Sequence, residues 1–138
     1  MMTYGEKLGR ELQVPAVIEL LGDVGAGKTT LTRGIAAGLG VGDNVTSPSF
    51  NISKRYGFVR PDGTAGTLVH YDFYRLPDPG IMSEELAETL QDPNAVVVIE
   101  WGASVADLLP DEHRTIKIEF SDDGDASARQ ITDQHKPQ

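Results

Sequence analysis

The stretch that most constrains this chain is Gly22 to Thr30, which reads GDVGAGKTT. It matches the pattern G-x-x-x-x-G-K-[ST] in full, through Gly22, Gly27, Lys28 and Thr29. An apolar run precedes it, and apolar residues with helical spacing follow it. Glycines let such a loop adopt backbone angles that point several N–H groups inward, around a phosphate chain. The following helix adds the partial positive charge of its N-terminus, so the sequence predicts a nucleotide site.

The residue types of this loop indicate which groups bind which part of the nucleotide. Lys28 can reach the β and γ phosphates of ATP, and the Thr29 hydroxyl can bind the Mg²⁺ ion that bridges them. ATP or ADP and Mg²⁺ are therefore the predicted cofactors. The other loop residues expected to contact the nucleotide are Asp23, Val24, Gly25, Ala26 and Thr30.

Two acids are candidates for the catalytic and metal-binding groups. Val96 to Ile99 consists of apolar β-branched residues and is followed by Glu100. A continuous apolar run is typical of a strand buried on both faces in a parallel sheet. An acid at the end of such a strand is where phosphate-loop proteins place a carboxylate on or near Mg²⁺, although a solvated strand end is the alternative. Asp72 ends another predicted strand, from which it could also reach the site.

The whole pattern predicts an α/β fold of three layers, phosphate-loop NTPase-like, with a largely parallel central sheet. Strand-like residues at Asn51–Val59 and Thr67–Tyr74 flank the turn signal Pro61-Asp62-Gly63, so they predict an added antiparallel hairpin. We expect one domain over residues 1–132 and a flexible tail at 133–138. The other expected elements are helices at Tyr4–Leu12, Lys28–Leu39, Glu84–Leu90 (capped by Ser83) and Ser104–Leu109, and strands at Ala16–Leu21, Thr115–Ser121 and Ala128–Thr132.

The composition restricts the class of partner. The chain has 21 acidic and 12 basic residues, for a net charge of −9. Because nucleic-acid binding draws most of its affinity from basic side chains on phosphates, a basic protein partner is more natural than independent RNA binding. The chain has no Cys, and its three His show no metal-ligand spacing. Its apolar runs are too short to span a membrane, so the expected location is the cytoplasm.

The segment VTSPSF, residues 45–50, is a polar loop after the first long helix. Pro48 is incompatible with a regular central strand. Ser47 and Ser49 could sense the γ-phosphate through a hydroxyl on Mg²⁺, as in other phosphate-loop proteins. The segment could equally be an ordinary surface turn.

Four segments resemble the motifs of the TsaE family (formerly YjeE), the small ATPases of bacterial tRNA threonylcarbamoyladenosine synthesis. GDVGAGKTTLTRG resembles the family's phosphate loop, and VTSPSF its V-x-S-P-T-F/Y segment. HYDFYRL is similar to its H-x-D-x-Y-R-L motif, and VVVIEWG to its final strand, which ends in Glu-Trp. Many ATPases share the first motif, but the four in this order are highly specific. Ser49 stands where the family usually has Thr, which keeps the hydroxyl.

The resemblance implies a role for each matching residue. Lys28 would bind phosphates and Thr29 would ligate Mg²⁺. Asp72 and Glu100 would organise the metal and the attacking water. The remaining implied contacts are Ser47 and Ser49 in a nucleotide-sensing loop and Trp101 beside the site.

The resemblance also implies a function, namely ATP hydrolysis coupled to turnover of a TsaB–TsaD-type complex. That complex transfers a threonylcarbamoyl group to tRNA, so this chain would meet tRNA only indirectly. Hydrolysis by the chain alone is expected to be slow. One alternative is a small-molecule kinase, although such kinases usually have an arginine-rich lid and the arginines here are dispersed. Another is a nucleotide-dependent switch whose hydrolysis is incidental.

Overall fold

The computed structural model describes residues 2–22, 27–42, 53–73, 81–100, 107–110, 113–120 and 129–135. Within these residues the chain forms three α-helices and six β-strands. The helices are α1 (Met2–Glu11), α2 (Lys28–Leu39) and α3 (Ile81–Thr89). The strands are β1 (Ala16–Gly22), β2 (Ser53–Val59), β3 (Ala65–Asp72), β4 (Ala95–Glu100), β5 (Arg114–Phe120) and β6 (Arg129–His135).

The six strands form one sheet in the order β2-β3-β4-β1-β5-β6. Its three inner pairings, β3 with β4, β4 with β1 and β1 with β5, are parallel. The two outer pairings, β2 with β3 and β5 with β6, are antiparallel. The predicted α/β fold, with a parallel centre and an added hairpin, is therefore confirmed.

Helices cover this sheet on both faces. On one face, Leu8 of α1 and Ile35 of α2 pack in a core cluster with Ile18 and Val98 of the sheet. On the other face, Leu86 of α3 packs in a second cluster with residues of β3 and β4. The three-layer arrangement is confirmed. No helix in the part of the chain that the structure describes has the length and apolar character needed to cross a membrane.

Strand β4 lies at the centre of the fold, and all six of its residues are buried. It is hydrogen-bonded to β1 on one side and to β3 on the other. Side chains of its odd and even positions enter opposite core clusters, Val97 and Ile99 on one face and Val96 and Val98 on the other. The prediction of a fully buried parallel strand at Val96–Ile99 is confirmed.

The turn between β2 and β3 closes through local hydrogen bonds. The N–H of Arg60 donates to the carbonyl oxygen of Thr64 at 2.8 Å, and the N–H of Gly63 donates to the carbonyl oxygen of Arg60 at 2.9 Å. The N–H of Thr64 also donates to a carboxylate oxygen of Asp62 at 2.9 Å. This last bond lowers the pKa of the Asp62 carboxyl below its ordinary value. The predicted turn at Pro61-Asp62-Gly63 is confirmed.

Polar contacts attach α3 to this hairpin. The Tyr71 hydroxyl and the Thr89 hydroxyl are hydrogen-bonded at 2.8 Å, and the Arg55 guanidinium donates to Thr89 at 2.9 Å. Ser53 donates to the Glu85 carboxylate at 3.2 Å. Burial raises the pKa of the Tyr71 phenol above its ordinary value. These contacts lie on the face of the sheet opposite to α1 and α2.

Some of the predicted helix boundaries agree with the structure and others do not. Helix α2 has the predicted bounds, and the N–H of Gly40 closes it by donating to Ala36 and Ala37 carbonyl oxygens. Helix α3 begins at Ile81, so Ser83 lies inside the helix and the prediction that it is the N-cap is wrong. Serine is common at caps, but it also occurs within first turns, and its presence alone does not place a helix start. Of the helix predicted at Ser104–Leu109, residues 104–106 lie outside the described residues.

The C-terminal strand is longer than its sequence suggests. Strand β6 runs to His135, and Asp133 is paired with Ile116 and His135 with Arg114. The prediction that a tail starts at Asp133 is therefore wrong. Antiparallel pairing satisfies the backbone groups of these polar residues, and hydrophobic periodicity carries no signal for such an extension.

Helices α1 and α2 touch through glycines spaced four apart on each helix. A Cβ on Gly5 would lie 2.7 Å from the carbonyl oxygen of Leu31 and 2.9 Å from the Cα of Gly34. A Cβ on Gly38 would overlap the carbonyl oxygen of Glu6 and lie 2.9 Å from the Cα of Gly9. The two backbones are therefore in direct contact, and α2 is held against a rigid surface rather than against flexible side chains.

We predict that Gly38→Ala destabilises the protein by ~2 kcal/mol or more, because the new methyl meets backbone atoms that cannot move independently. Helix propensity alone would favour Ala by about 1 kcal/mol, so the sign of the change separates the two effects. Chemical denaturation measures it. Gly42→Ala is the matched control, since a Cβ there meets no atom within 4 Å. Equal stability of the two variants would contradict the backbone contact.

Candidate nucleotide site

The site lies at the carboxyl edge of the parallel strands. Strand β1 ends at Gly22, and α2 begins a few residues later at Lys28. In the sheet register, Glu100 of β4 lies between Leu20 of β1 and Asp72 of β3. Ligands of open α/β sheets bind in the crevice outside the carboxyl ends of the strands. Gly22, where the phosphate loop begins, and both predicted acids therefore lie at one edge of the sheet.

Two glycines frame the phosphate loop. Gly22 has a φ of 146°, and a Cβ there would overlap the carbonyl oxygen of Ile118 in β5. Gly27 has a φ of 111° and precedes the first residue of α2. Both backbone angles are unfavourable for residues with a side chain. The two fixed glycines of the motif thus match two positions where this backbone requires them.

Lys28 is buried in the first turn of α2, with 7% of its surface exposed. Its Nζ donates to the carbonyl oxygen of Gly22 at 2.9 Å and lies 4.0 Å from Oε1 of Glu100. The ammonium group therefore lies between the start of the loop and the acid at the end of β4. This is the placement from which a lysine can contact a phosphate chain held by the loop.

Glu100 is a buried acid with two partners. Its Oε2 lies 2.6 Å from Nε2 of His70, and its Oε1 faces Lys28. The side chains of Glu100 and His70 are 5% and 0% exposed. A buried carboxylate requires such compensation, because leaving it unpaired would cost several kcal/mol. The structure thus brings the predicted Lys28 and Glu100 together.

His70 is the residue of the site that the sequence reasoning missed. The sequence feature that could have identified it is its position two residues before Asp72 on a predicted strand. Strand residues two apart share one face of a sheet, so His70 and Asp72 both face the side of α2. The scattered spacing of the three His argued against a metal site, but it could not reveal the contact between His70 and Glu100.

The other predicted residues fall into two groups. Asp72 is partly buried and lies next to Glu100 in the register, and Thr29 and Thr30 are partly buried in the first turn of α2. Asp72 therefore lies at the carboxyl edge of the sheet, and the two threonines lie in the helix that follows the phosphate loop. The predicted contacts that lie outside the described residues are Asp23, Val24, Gly25, Ala26, Ser47, Ser49 and Trp101.

A protein-family comparison agrees with this geometry. The model of the family described as "Threonylcarbamoyl adenosine biosynthesis protein TsaE" matches residues 1–131. The chain belongs to the TsaE family. This confirms the resemblance seen in the four motifs, and TsaE membership together with the phosphate loop indicates nucleotide binding and supports ATPase-type activity in general.

Individual TsaE proteins are similar over most of the chain. The "tRNA threonylcarbamoyladenosine biosynthesis protein TsaE" of Treponema pallidum is 36% identical over 129 residues, which are 94% of this chain and 89% of that protein. The protein of the same name from Bacillus subtilis is 39% identical over 117 residues, which are 84% and 67% of the two chains. A crystal structure of Bacillus subtilis YdiB has a TM-score of 0.68 and 31% identity, and the match covers 99% of this chain and 79% of that one.

We predict that Lys28→Ala weakens nucleotide binding by ~100-fold, because a charge-assisted contact made by a buried lysine is worth about 1.5–3 kcal/mol. Calorimetric titration with ADP and with ATP measures the loss. Lys7→Ala removes an exposed lysine from α1 and is the control for the change in net charge. Unchanged affinity in folded Lys28→Ala would contradict the placement of Lys28 at the phosphates.

Proposed function

We propose that this chain is the ATP-hydrolysing subunit of tRNA threonylcarbamoyladenosine biosynthesis, where it supports turnover of a TsaB–TsaD-type complex. The observation that carries the proposal is the buried pair of Lys28 and Glu100 at the carboxyl edge of β1 and β4, 4.0 Å apart. Membership of the TsaE family connects the chain to tRNA modification. The chain itself would not transfer the threonylcarbamoyl group.

The proposed chemistry relies on positioning and charge. Transfer of a phosphoryl group to water needs an attacking water in line with the leaving group and neutralisation of phosphate charge. Lys28 would stabilise charge on the β and γ phosphates from the first turn of α2. Glu100 would orient the water, since its carboxylate is held at the end of a buried strand. Asp72 would assist from the neighbouring strand.

The residues present fit a Mg²⁺ ion. Thr29, Asp72 and Glu100 offer hydroxyl and carboxylate oxygens, which are the ligands that Mg²⁺ prefers. Among the described residues there is no group of three or more His, Asp or Glu able to hold a metal ion. Mg²⁺ usually binds through one or two carboxylates together with substrate phosphates, so this donor set suits a site completed by nucleotide. The ion would neutralise charge on the phosphates when bound.

The remaining proposed contacts come from the sequence. Backbone N–H groups of residues 23–26 would surround the phosphates. Ser47 and Ser49 would sense the γ-phosphate, and Trp101, which directly follows Glu100, would lie beside the nucleotide. ATP or ADP would be the ligand in each case.

The proposed partner is a protein complex rather than free RNA. The net charge of −9 disfavours phosphate-driven contact with tRNA and favours a partner with a basic surface. The chain would therefore act on tRNA only through that complex. This function requires the cytoplasm, where ATP, Mg²⁺ and tRNA are available.

Thr29→Ala is predicted to weaken nucleotide binding in the presence of Mg²⁺ by ~10-fold, and to change binding in EDTA by less than about twofold, because only the metal-linked contact is lost. Calorimetric titrations with and without Mg²⁺ provide the comparison. Thr3→Ala, at an exposed position of α1 away from the site, is the matched control. Equal losses under both conditions would remove Thr29 from the metal ligands.

The function itself is tested by phosphate release from ATP, with no other acceptor, in the presence and absence of a TsaB–TsaD pair. We expect the pair to stimulate hydrolysis. Glu100→Gln should still bind ATP but lose hydrolysis by ~100-fold or more, the scale of a positioned acid–base group. It keeps the volume and an acceptor for His70, so the fold is retained.

Glu11→Gln, at an exposed position of α1, controls for the charge change. Hydrolysis by Glu100→Gln at the parental rate in the presence of the partner pair would show that Glu100 is only a strand terminus. Phosphate release that needs an added small-molecule acceptor would instead identify a kinase.

A further inference from the structure

We infer that His70 is a positioning residue for hydrolysis, which holds the Glu100 carboxylate in its working orientation. The inference rests on the proposed function, because it assumes that Glu100 acts on the attacking water. His70 itself would contact neither nucleotide nor water. It would act only through the 2.6 Å contact between its Nε2 and Oε2 of Glu100.

Because of this contact, the two carboxylate oxygens of Glu100 have different partners. An ionised carboxylate can only accept hydrogen bonds, so Nε2 of His70 carries the hydrogen and donates it to Oε2. Oε1 is left facing Lys28 at 4.0 Å, toward the phosphate loop. Without the His70 donor the carboxylate could rotate, and either of its oxygens could then face Lys28.

The backbone alone does not fix this carboxylate. Pairing with Leu20 and Asp72 holds the main chain of Glu100, and the N–H of Phe73 donates to its carbonyl oxygen at 3.1 Å. Beyond the Cα, however, a glutamate side chain has three rotatable bonds. The position of its carboxylate therefore depends on the groups it meets, which in the described residues are Lys28 and His70. Lys28 is needed at the phosphates, so His70 is the contact that can stay unchanged when nucleotide binds.

A purely structural role explains His70 less well. It is fully buried on the apolar face that also contains Leu68 and Val98, where an aliphatic residue would be favourable. Its Nδ1 is buried and has no hydrogen-bond partner in the structure as described. Most buried polar atoms in proteins are hydrogen-bonded, and an unsatisfied one has a stability cost. Among the described residues, the hydrogen bond of the His70 ring is therefore the one to the Glu100 carboxylate.

The test compares His70→Gln with His70→Asn. The side-chain nitrogen of Gln reaches about as far as Nε2 of histidine and can still donate to Glu100, whereas that of Asn reaches only about as far as Nδ1. We expect His70→Asn to lower kcat of ATP hydrolysis by ~10–100-fold, the usual effect of removing a group that orients a catalytic ligand. His70→Gln should retain a rate within about threefold of the parent. Affinity for ADP in EDTA should stay within about twofold for both.

A double-mutant cycle distinguishes positioning from general damage to the fold. In the Glu100→Gln background, His70→Asn should lower kcat by less than about twofold further, because the group that His70 orients has already been removed. Single-turnover hydrolysis makes these low rates measurable. Denaturation of the same four proteins should show non-additive changes in stability for the two sites, a readout independent of activity.

Tyr71→Phe is the matched control within β3. It removes the buried hydrogen bond to Thr89 on the opposite face of the sheet, so it perturbs the same strand without touching Glu100. Its kcat should equal that of the parent.

The outcomes separate the two proposals. Parental kcat in His70→Asn, while Glu100→Gln is inactive, would overturn the positioning role and leave the proposed function intact. Equal losses in His70→Asn with and without the Glu100 substitution would also overturn it, in favour of a structural role. No hydrolysis by the parent with the partner pair would overturn the proposed function and the inference together. If His70→Asn does not fold, His70→Leu, which fills the space without a donor, replaces it: parental kcat in His70→Leu would overturn the inference, and a loss of ~10-fold or more beside near-parental kcat in His70→Gln supports it.

Discussion

Parallel pairing of β4 with β1 on one side and β3 on the other is the constraint on which the rest of the structure depends. The register of these strands sets Asp72 and Glu100 level with Leu20, two residues before the phosphate loop begins. A one-residue slip would send alternate side chains to the opposite face and expel Glu100 from the site. The complete burial of β4 opposes such a slip, because the slip would move its side chains from each core cluster into the other.

The buried carboxylate of Glu100 shows how this fold accommodates a charge in its interior. An isolated charge in this position would be strongly unfavourable, and the ammonium of Lys28 and the imidazole of His70 compensate it. The same two groups give its oxygens different surroundings. In the proposed role of Glu100, oxygens that are already oriented would not need to reorganise during hydrolysis, which is the general basis of electrostatic catalysis. The polar groups on this otherwise apolar face therefore lower the stability of the protein but also hold the Glu100 carboxylate in one orientation.

Much of the fold followed from local patterns in the sequence. The phosphate loop, the hairpin turn at Pro61-Asp62-Gly63 and the buried strand β4 each have short-range signals that burial and turn chemistry make strong. The remainder depends on contacts between distant segments. The extension of β6 to His135 needs β5 as its partner, and the His70–Glu100 contact needs the register of β3 against β4. The contact between the glycines of α1 and α2 depends on how the two helices pack against each other. The four-residue spacing of the glycines in each helix therefore did not predict it.

The topology also has a consequence for how the site forms. Residues from β1, α2, β3 and β4 are far apart along the chain, and β4 lies between β3 and β1 in the sheet. Contacts of this kind form slowly, because loop closure is unfavourable before they are made. The β2–β3 hairpin can form locally, but no partly folded intermediate that lacks β4 contains Glu100 beside Lys28. A nucleotide that requires this edge would therefore bind only the complete sheet, and by linkage it would stabilise the whole domain rather than one part of it.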